Sequence, residues 1–211
     1  YDLDGSYLGM TKAQLAVQHG FGDGRKTSCE RSVKAVSNLF YRLPIHGYCA
    51  INMGAIPLIN DAVGGVDLQA AETLDFGEYR VTEGEQLHLE GMDAYYYLHN
   101  RDINKARTAD GRLKRQKQYL VAYAAKALAA TKNDLTFPVS LYGILSKYMV
   151  TDISVDEVGY LATQILNYSF DSDDMYVLEG EIKDGERFEE FYVDEDALYR
   201  LILKIFYEEI E

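Results

Sequence analysis

The strongest constraint on this fold is a stretch without a helix breaker, from Arg112 to Ala130. The Asp110-Gly111 pair before it is a turn signal, so the sequence predicts a long helix that opens there. At about 100° per residue, Arg112, Arg115, Gln116 and Tyr119 share one narrow face. Leu113, Leu120, Ala124 and Ala127 fall on the neighbouring face, which the pattern assigns to the core. Two guanidinium groups and a carboxamide are thereby placed on the predicted first turn, where backbone N–H groups are unpaired and the helix dipole is positive. Cations belong at the opposite end of a helix. Arginines here call for an anion, and their planar forks match phosphate oxygens bidentately. In the empty protein such a cation stabilises nothing, so losing either arginine is expected to cost little stability.

The helix grows out of a cationic stretch. Residues 99–117 hold Arg101, Lys105, Arg107, Arg112, Lys114, Arg115 and Lys117 against only Asp102 and Asp110, in a chain whose formal charge is -13. A solvated helix face normally interleaves acids with its bases. Two readings of this island stand side by side. One is an oxyanion or phosphate site; the other is a basic surface patch whose arginines pair with the abundant carboxylates.

Around this centre the chain alternates helices and strands. A short helix is expected near residues 12–19. Thr27-Ser28-Cys29-Glu30 reads as a capping box, followed by Cys29, Val33, Val36, Phe40 and Leu43 at helical spacing, with Pro44 ending the helix. Residues 46–53 have strand character. Residues 55–63 read as a short helix that admits Pro57 in its first turn. Gly64-Gly65 suits a tight turn with positive φ into a strand at 66–70, and its spacing matches no phosphate loop. Residues 71–89 read as turn and loop with one strand at 79–81. A helix at 90–98 then delivers Asn100 and Arg101, and its Tyr95-Tyr96-Tyr97 run cannot all face one way.

Ser154-Val155-Asp156-Glu157 is a second capping box. Lys183-Asp184-Gly185-Glu186 signals a hairpin between strands at 175–178 and 187–193, and Asp194 caps a final helix carrying Leu198, Leu201, Ile202 and Ile205. These alternations predict the α/β class, with a central mixed sheet sandwiched between helices. The expected division is residues 1–131 and an α+β extension at 132–211.

Charge and composition remove several classes. A net charge of -13 argues against a general nucleic-acid binder. At 47% apolar and 26% charged residues, the chain has the composition of a globular protein. No apolar run reaches the roughly 18 residues of a membrane span. Residues 133–211 carry 19 acids against 5 bases, an acidic solvated surface to which no chemistry is assigned. Cys29 and Cys49 form no metal pattern; a disulfide and two buried thiols are both open.

Three blocks, in order, resemble the LytR–CpsA–Psr (LCP) family. Gly91, Ala94, Tyr97, Asn100-Arg101 and then Asp110-Gly111-Arg112-Leu113-Lys114-Arg115-Gln116 look like its signature, which ends in "D-x-G-R-x-x-R-Q". Asp61-Ala62-Val63-Gly64-Gly65-Val66-Asp67-Leu68 is similar to its "D-A-L-G-G-V-D-V", and Lys12 with the Gly20–Gly24 loop resembles a third segment. His99 stands where the family has the first arginine of an R-x-R, and Asp110 lies one place nearer Arg112 than usual.

The resemblance implies an LCP-like α/β/α fold and a phosphotransferase. Such an enzyme moves a cell-wall glycopolymer, teichoic-acid-like or capsular, from an undecaprenyl-pyrophosphate carrier to peptidoglycan. By carry-over, Arg101, Arg112 and Asp110 are the catalytic candidates, with Asp110 expected to hold an arginine. Arg112, Arg115, Gln116, Arg101, Lys12 and His99 are the phosphate-binding candidates. No metal ligand is assigned in this chain. The Mg2+ that the family implies is expected on aspartates of an amino-terminal segment outside these residues, as is a membrane helix. Without those aspartates, this chain by itself is expected to turn over little. The implied partners are the polyprenyl (pyro)phosphate lipid and peptidoglycan, with no nucleic acid, at an extracytoplasmic, membrane-anchored location on the cell surface. The competing expectations are a non-catalytic polyprenyl-phosphate-binding protein of the cell envelope, and a transcriptional regulator.

Overall fold

The computed structural model describes residues 15, 17–102, 108–185 and 189–207. In chain order the elements are α1 (Val17–Gly20), α2 (Lys26–Leu39), β1 (Cys49–Ile51), α3 (Ile56–Ala62), β2 (Val66–Gln69), β3 (Leu74–Phe76), β4 (Tyr79–Val81) and β5 (Gln86–Leu89). They continue with α4 (Met92–His99), α5 (Thr108–Asn133), α6 (Phe137–Leu145), β6 (Met149–Thr151), α7 (Val155–Ile165), β7 (Gly180–Asp184), β8 (Glu189–Val193) and α8 (Glu195–Phe206). Helices and strands alternate as the α/β class requires. Among the described residues the strands pair as four two-stranded antiparallel ladders: β1 with β6, β2 with β5, β3 with β4 and β7 with β8. The chain gathers into two compact units. One is residues 47–175; the other combines residues 1–46 with 176–211.

The core of the 47–175 unit starts from alternation on β2, where Val66 and Leu68 are buried while Asp67 and Gln69 are exposed. Ala70, Leu74, Tyr79, Val81 and Leu89 from the neighbouring segments, Ala94 and Tyr97 of α4, and Tyr119 of α5 complete it. Gly64 and Gly65 take φ of 74° and 73°, as the turn reading expects. A Cβ on Gly65 would stand 2.8 Å from Leu89 O, so that glycine also permits the β2–β5 approach. Fully buried Asn60 closes the bottom of this core. Its Nδ2 donates to Leu89 O (2.8 Å) and Asp61 Oδ1 (2.9 Å), and its Oδ1 accepts from the Tyr119 hydroxyl (3.1 Å).

In the other unit, β7 and β8 form the expected hairpin, but its first strand is Gly180–Asp184 rather than 175–178. Asp194 caps α8 by accepting from Ala197 N at 2.9 Å, and Leu198 and Ile202 are buried. Tyr41 meets Tyr199 edge-on at 5.9 Å. The sulfur of buried Cys29 lies 3.9 Å from His19 Nε2, whereas Cys49 of the 47–175 unit is exposed; neither cysteine is in a disulfide.

Several local expectations are corrected. The Thr27 capping box does not start α2, because Asp23 has already closed that end. Its carboxylate accepts from Arg25 N (2.8 Å) and Ser28 N (3.3 Å), and Ser28 Oγ accepts from Gly24 N. Nor does α2 reach Pro44. It stops at Leu39, where Tyr41 and Arg42 adopt φ of 52° and 66° and Arg42 N–H returns to Ser37 O. The strand expected at 46–53 is reduced to Cys49–Ile51, and the supposed loop at 71–89 contains β3 and β5 as well as β4. By contrast the Ser154–Glu157 box on α7 forms in both directions.

The largest correction concerns α5. It is already helical at Thr108, so Asp110 and Gly111 lie inside it rather than opening it. Leu113 and Leu120 are 43% and 50% exposed, while Arg115 and Tyr119 are buried. The helix thus turns toward the core the face that the apolar pattern assigned elsewhere.

Candidate functional site

The site forms where α4 ends and α5 begins. The last carbonyls of any α-helix lack intrahelical donors, and a cation is favoured beside them. Here α5 supplies the donors for α4. Arg115 Nε donates to Tyr97 O at 2.7 Å, Arg115 Nη2 donates to Asn100 O, and Gln116 Nε2 donates to Leu98 O at 3.2 Å. Arg115 Nη1 forms an ion pair with Glu72 Oε1. The guanidinium also lies 5.8 Å from the Tyr97 ring centroid, and the residue is 1% exposed. An arginine that looked misplaced on its own helix is therefore well placed for the helix beside it.

Glu72 reaches this spot because of Gly111. A Cβ at Gly111 would stand 2.6 and 2.7 Å from the two Glu72 carboxylate oxygens, so the glycine leaves room for the carboxylate to rest on α5 and a larger residue would displace it. Arg115 is one turn further on, on the same face. Buried Tyr97 braces the other side. Its hydroxyl donates to Gln118 Oε1 (2.8 Å) and accepts from Ala71 N (3.1 Å), while Gln118 Nε2 donates to Gln69 O (2.6 Å). Lys114 Nζ donates to Ala71 O at 3.3 Å. Glu72, Tyr97 and Gln118 were not singled out as site residues from the sequence. Tyr97 was legible as part of the family signature; the glycine at 111 was the one trace of Glu72.

Arg112 is the contrasting case. It is half-buried, and among the described residues it has no hydrogen-bond or ion-pair partner. Its pKa is held below the ordinary guanidinium value, first by burial and then by the positive charges of Arg101 and Arg115. Arg112 thus feels two further positive charges, and Glu72 is the carboxylate paired with one of them, Arg115. Arg101 is exposed just past α4. Asp110 is exposed on the first turn of α5 and makes no ion pair with a described residue. His99, also exposed, stacks on Tyr95 with centroids 5.0 Å apart and planes 19° apart. Lys12, Lys105 and Arg107 lie outside the described residues.

The glycine block at 61–68 frames the site rather than joining it. Asp61 Oδ1 accepts from Gly91 N at 2.8 Å and so ties α3 to the start of α4. Asp67 faces His88 across the ladder at 2.6 Å and pairs with Lys126 of α5 at 2.6 Å. Among the described residues no group of three or more His, Cys, Asp or Glu is placed to hold a metal ion. No helix of the described residues is long and apolar enough to cross a membrane.

The α/β scaffold thus holds one buried arginine between two helices, at the end of α4. The chain belongs to the LytR_cpsA_psr family, whose profile matches residues 9–198. It is 33% identical over 161 residues to the polyisoprenyl-teichoic acid–peptidoglycan teichoic acid transferase TagU of Oceanobacillus iheyensis, covering 76% of this chain and 48% of that protein. It therefore spans about half the length of this curated relative. Two solved structures share the fold. B. subtilis TagV superposes with a TM-score of 0.71 at 20% identity, covering 99% of this chain and 80% of that one. TagT bound to LI-WTA gives 0.62 at 15% identity, covering 90% and 69%.

Proposed function

We propose that this chain works within a phosphotransferase that moves a cell-wall glycopolymer, teichoic-acid-like or capsular, from an undecaprenyl-pyrophosphate carrier to peptidoglycan. The observation that carries this reading is Arg112, a half-buried guanidinium crowded by Arg101 and Arg115 and lacking a carboxylate among the described residues. Family membership, the name of the O. iheyensis relative and the LI-WTA on TagT support it.

A pyrophosphate is a dense anion, and its transfer is accelerated mainly by positioning and by preorganised positive charge at the oxygens that gain charge. In this reading Arg112 and Arg101 contact the phosphate oxygens, while His99 and Lys12 are further candidate donors. Arg115 and Gln116 act mainly by fixing the end of α4. Asp110 is exposed on the first turn of α5, two positions before Arg112, and pairs with no arginine among the described residues. Magnesium would neutralise phosphate charge from aspartates of the amino-terminal segment that the family implies. The full-length protein acts on the extracytoplasmic side as a membrane-anchored enzyme, with the polyprenyl carrier and peptidoglycan as partners.

Titration of the 211-residue chain with polyprenyl pyrophosphate at low and high ionic strength tests the site. Affinity should fall steeply as salt rises, because the contact is ionic. Affinity that ignores salt would leave only the apolar tail as the source of binding and would overturn the site. Turnover by the chain alone should be slight. Robust magnesium-dependent transfer would show that the catalytic parts are misassigned.

A further inference from the structure

The carboxylate paired with Arg115 is Glu72, in the turn between β2 and β3, and the proposed reading gives it no role. A negative charge beside an anion site opposes the ligand, so its presence needs a reason. Three features of its setting point the same way. The α5 backbone is cleared for it at Gly111, it pairs with buried Arg115, and Arg115 in turn holds Tyr97 O and Asn100 O at the end of α4. Arg101 is the next residue after Asn100, and Arg112 follows Gly111. Glu72 thus grips the two helices at the points from which Arg101 and Arg112 emerge, neither of them paired with a carboxylate among the described residues.

We propose that Glu72 is a positioning residue of the anion site: resting on Gly111 and paired with Arg115, it locks the end of α4 against α5, so that Arg101 and Arg112 meet one phosphate group together. The proposal deepens the anion-site reading and rests on it. A bare counter-charge predicts the opposite sign. If Glu72 only diluted positive charge, removing it would strengthen anion binding severalfold. If it positions, removing it weakens binding although the local charge becomes more positive.

The test uses the full chain, inorganic pyrophosphate as the probe, and three variants. Glu72→Ala should weaken pyrophosphate binding about tenfold, the scale of one lost charge-assisted hydrogen bond. Gly111→Ala keeps every charge and only displaces the carboxylate, and it should weaken binding to a similar degree. Glu72→Gln keeps an acceptor for Arg115 and should recover most of the parent affinity. A purely structural role would lower the melting temperature of these variants without moving pyrophosphate affinity measured well below it. Tighter or unchanged binding by Glu72→Ala overturns the proposal.

A second readout needs no ligand. The Asn100 amide, bonded to Tyr96 O at 3.0 Å, should exchange its hydrogen faster in Glu72→Ala. Unchanged exchange there also overturns the proposal, whether or not pyrophosphate binds. A parent chain that fails to bind pyrophosphate, with exchange still accelerated in the variant, would refute the anion site and leave the Glu72 latch standing.

Discussion

Arg115 and Arg112 sit three residues apart on one helix and should fail in opposite ways. Arg115 is 1% exposed and serves Tyr97 O, Asn100 O and Glu72. Arg115→Ala strands two carbonyls at the end of α4, each costing on the order of 1–3 kcal/mol when left unsatisfied. The Glu72 side chain is 37% exposed, so water screens it and its share is discounted. The total is about 3–5 kcal/mol, the range for breaking a buried pair. In a chain of this size that lowers the melting temperature by roughly 10 °C. Arg115→Lys should lose about half as much, because an ammonium is a point charge and cannot serve three acceptors in a fixed fork.

Among the described residues Arg112 has no partner to strand. Arg112→Lys should melt like the parent, and Arg112→Ala should melt level with it or slightly higher, since a charge crowded by Arg101 and Arg115 is removed. Both should lose pyrophosphate affinity, Arg112→Lys by about 1.5–3 kcal/mol, the range for charge-assisted hydrogen bonds. The assay is a thermal melt and a pyrophosphate titration on each variant, side by side. Equal melting of Arg115→Lys and the parent would refute the buried-cap account. Parent-like binding by Arg112→Lys would place the phosphate contact elsewhere.

Two further outcomes test the frame. Asn60→Ala leaves Leu89 O and the Tyr119 hydroxyl without their partner in a buried site, and should cost about 2–4 kcal/mol by denaturant titration; a loss below about 1 kcal/mol would contradict the bonding described. His88 is held above its ordinary pKa, chiefly by its hydrogen bond to Asp67 and further by Glu90, while Asp67 is held below its own, chiefly by Lys126 and then by His88. The His88 contribution to stability is therefore complete below the ordinary histidine value and lost as pH rises through the higher folded value. The Asp67 contribution is present above the ordinary carboxylate value and lost as pH falls through the lower folded one. Titration of the His88 ring by NMR should give a pKa above 6.5 that drops in Asp67→Asn, and no drop would break the assignment.

Features set by a few consecutive residues were legible in the chain. The Ser154–Glu157 box, the Asp194 cap, Pro57 in the first turn of α3 and the Gly64-Gly65 turn depend on contacts within about four positions, and each stands as read. The Thr27 box failed against an equally local rival, Asp23, which shows that a capping signature names a candidate and not a winner. The arginine cluster was legible too, as composition: charge of one sign with few acids between.

Its internal division of labour was not. On sequence alone Arg112 and Arg115 are the same residue type on the same face, and both seemed to want an external anion. Only the tertiary structure brings the open end of α4 and the Glu72 carboxylate to Arg115, from 15 to 43 positions away, and leaves Arg112 without either. The same packing buries Arg115 and Tyr119 and leaves Leu113 and Leu120 in solvent, against the apolar pattern. Burial follows from which groups must be satisfied as well as from hydrophobicity. A helix end with unpaired carbonyls draws a guanidinium inward more strongly than two leucines resist exposure, and a single helix read alone carries no record of which helix end it will meet.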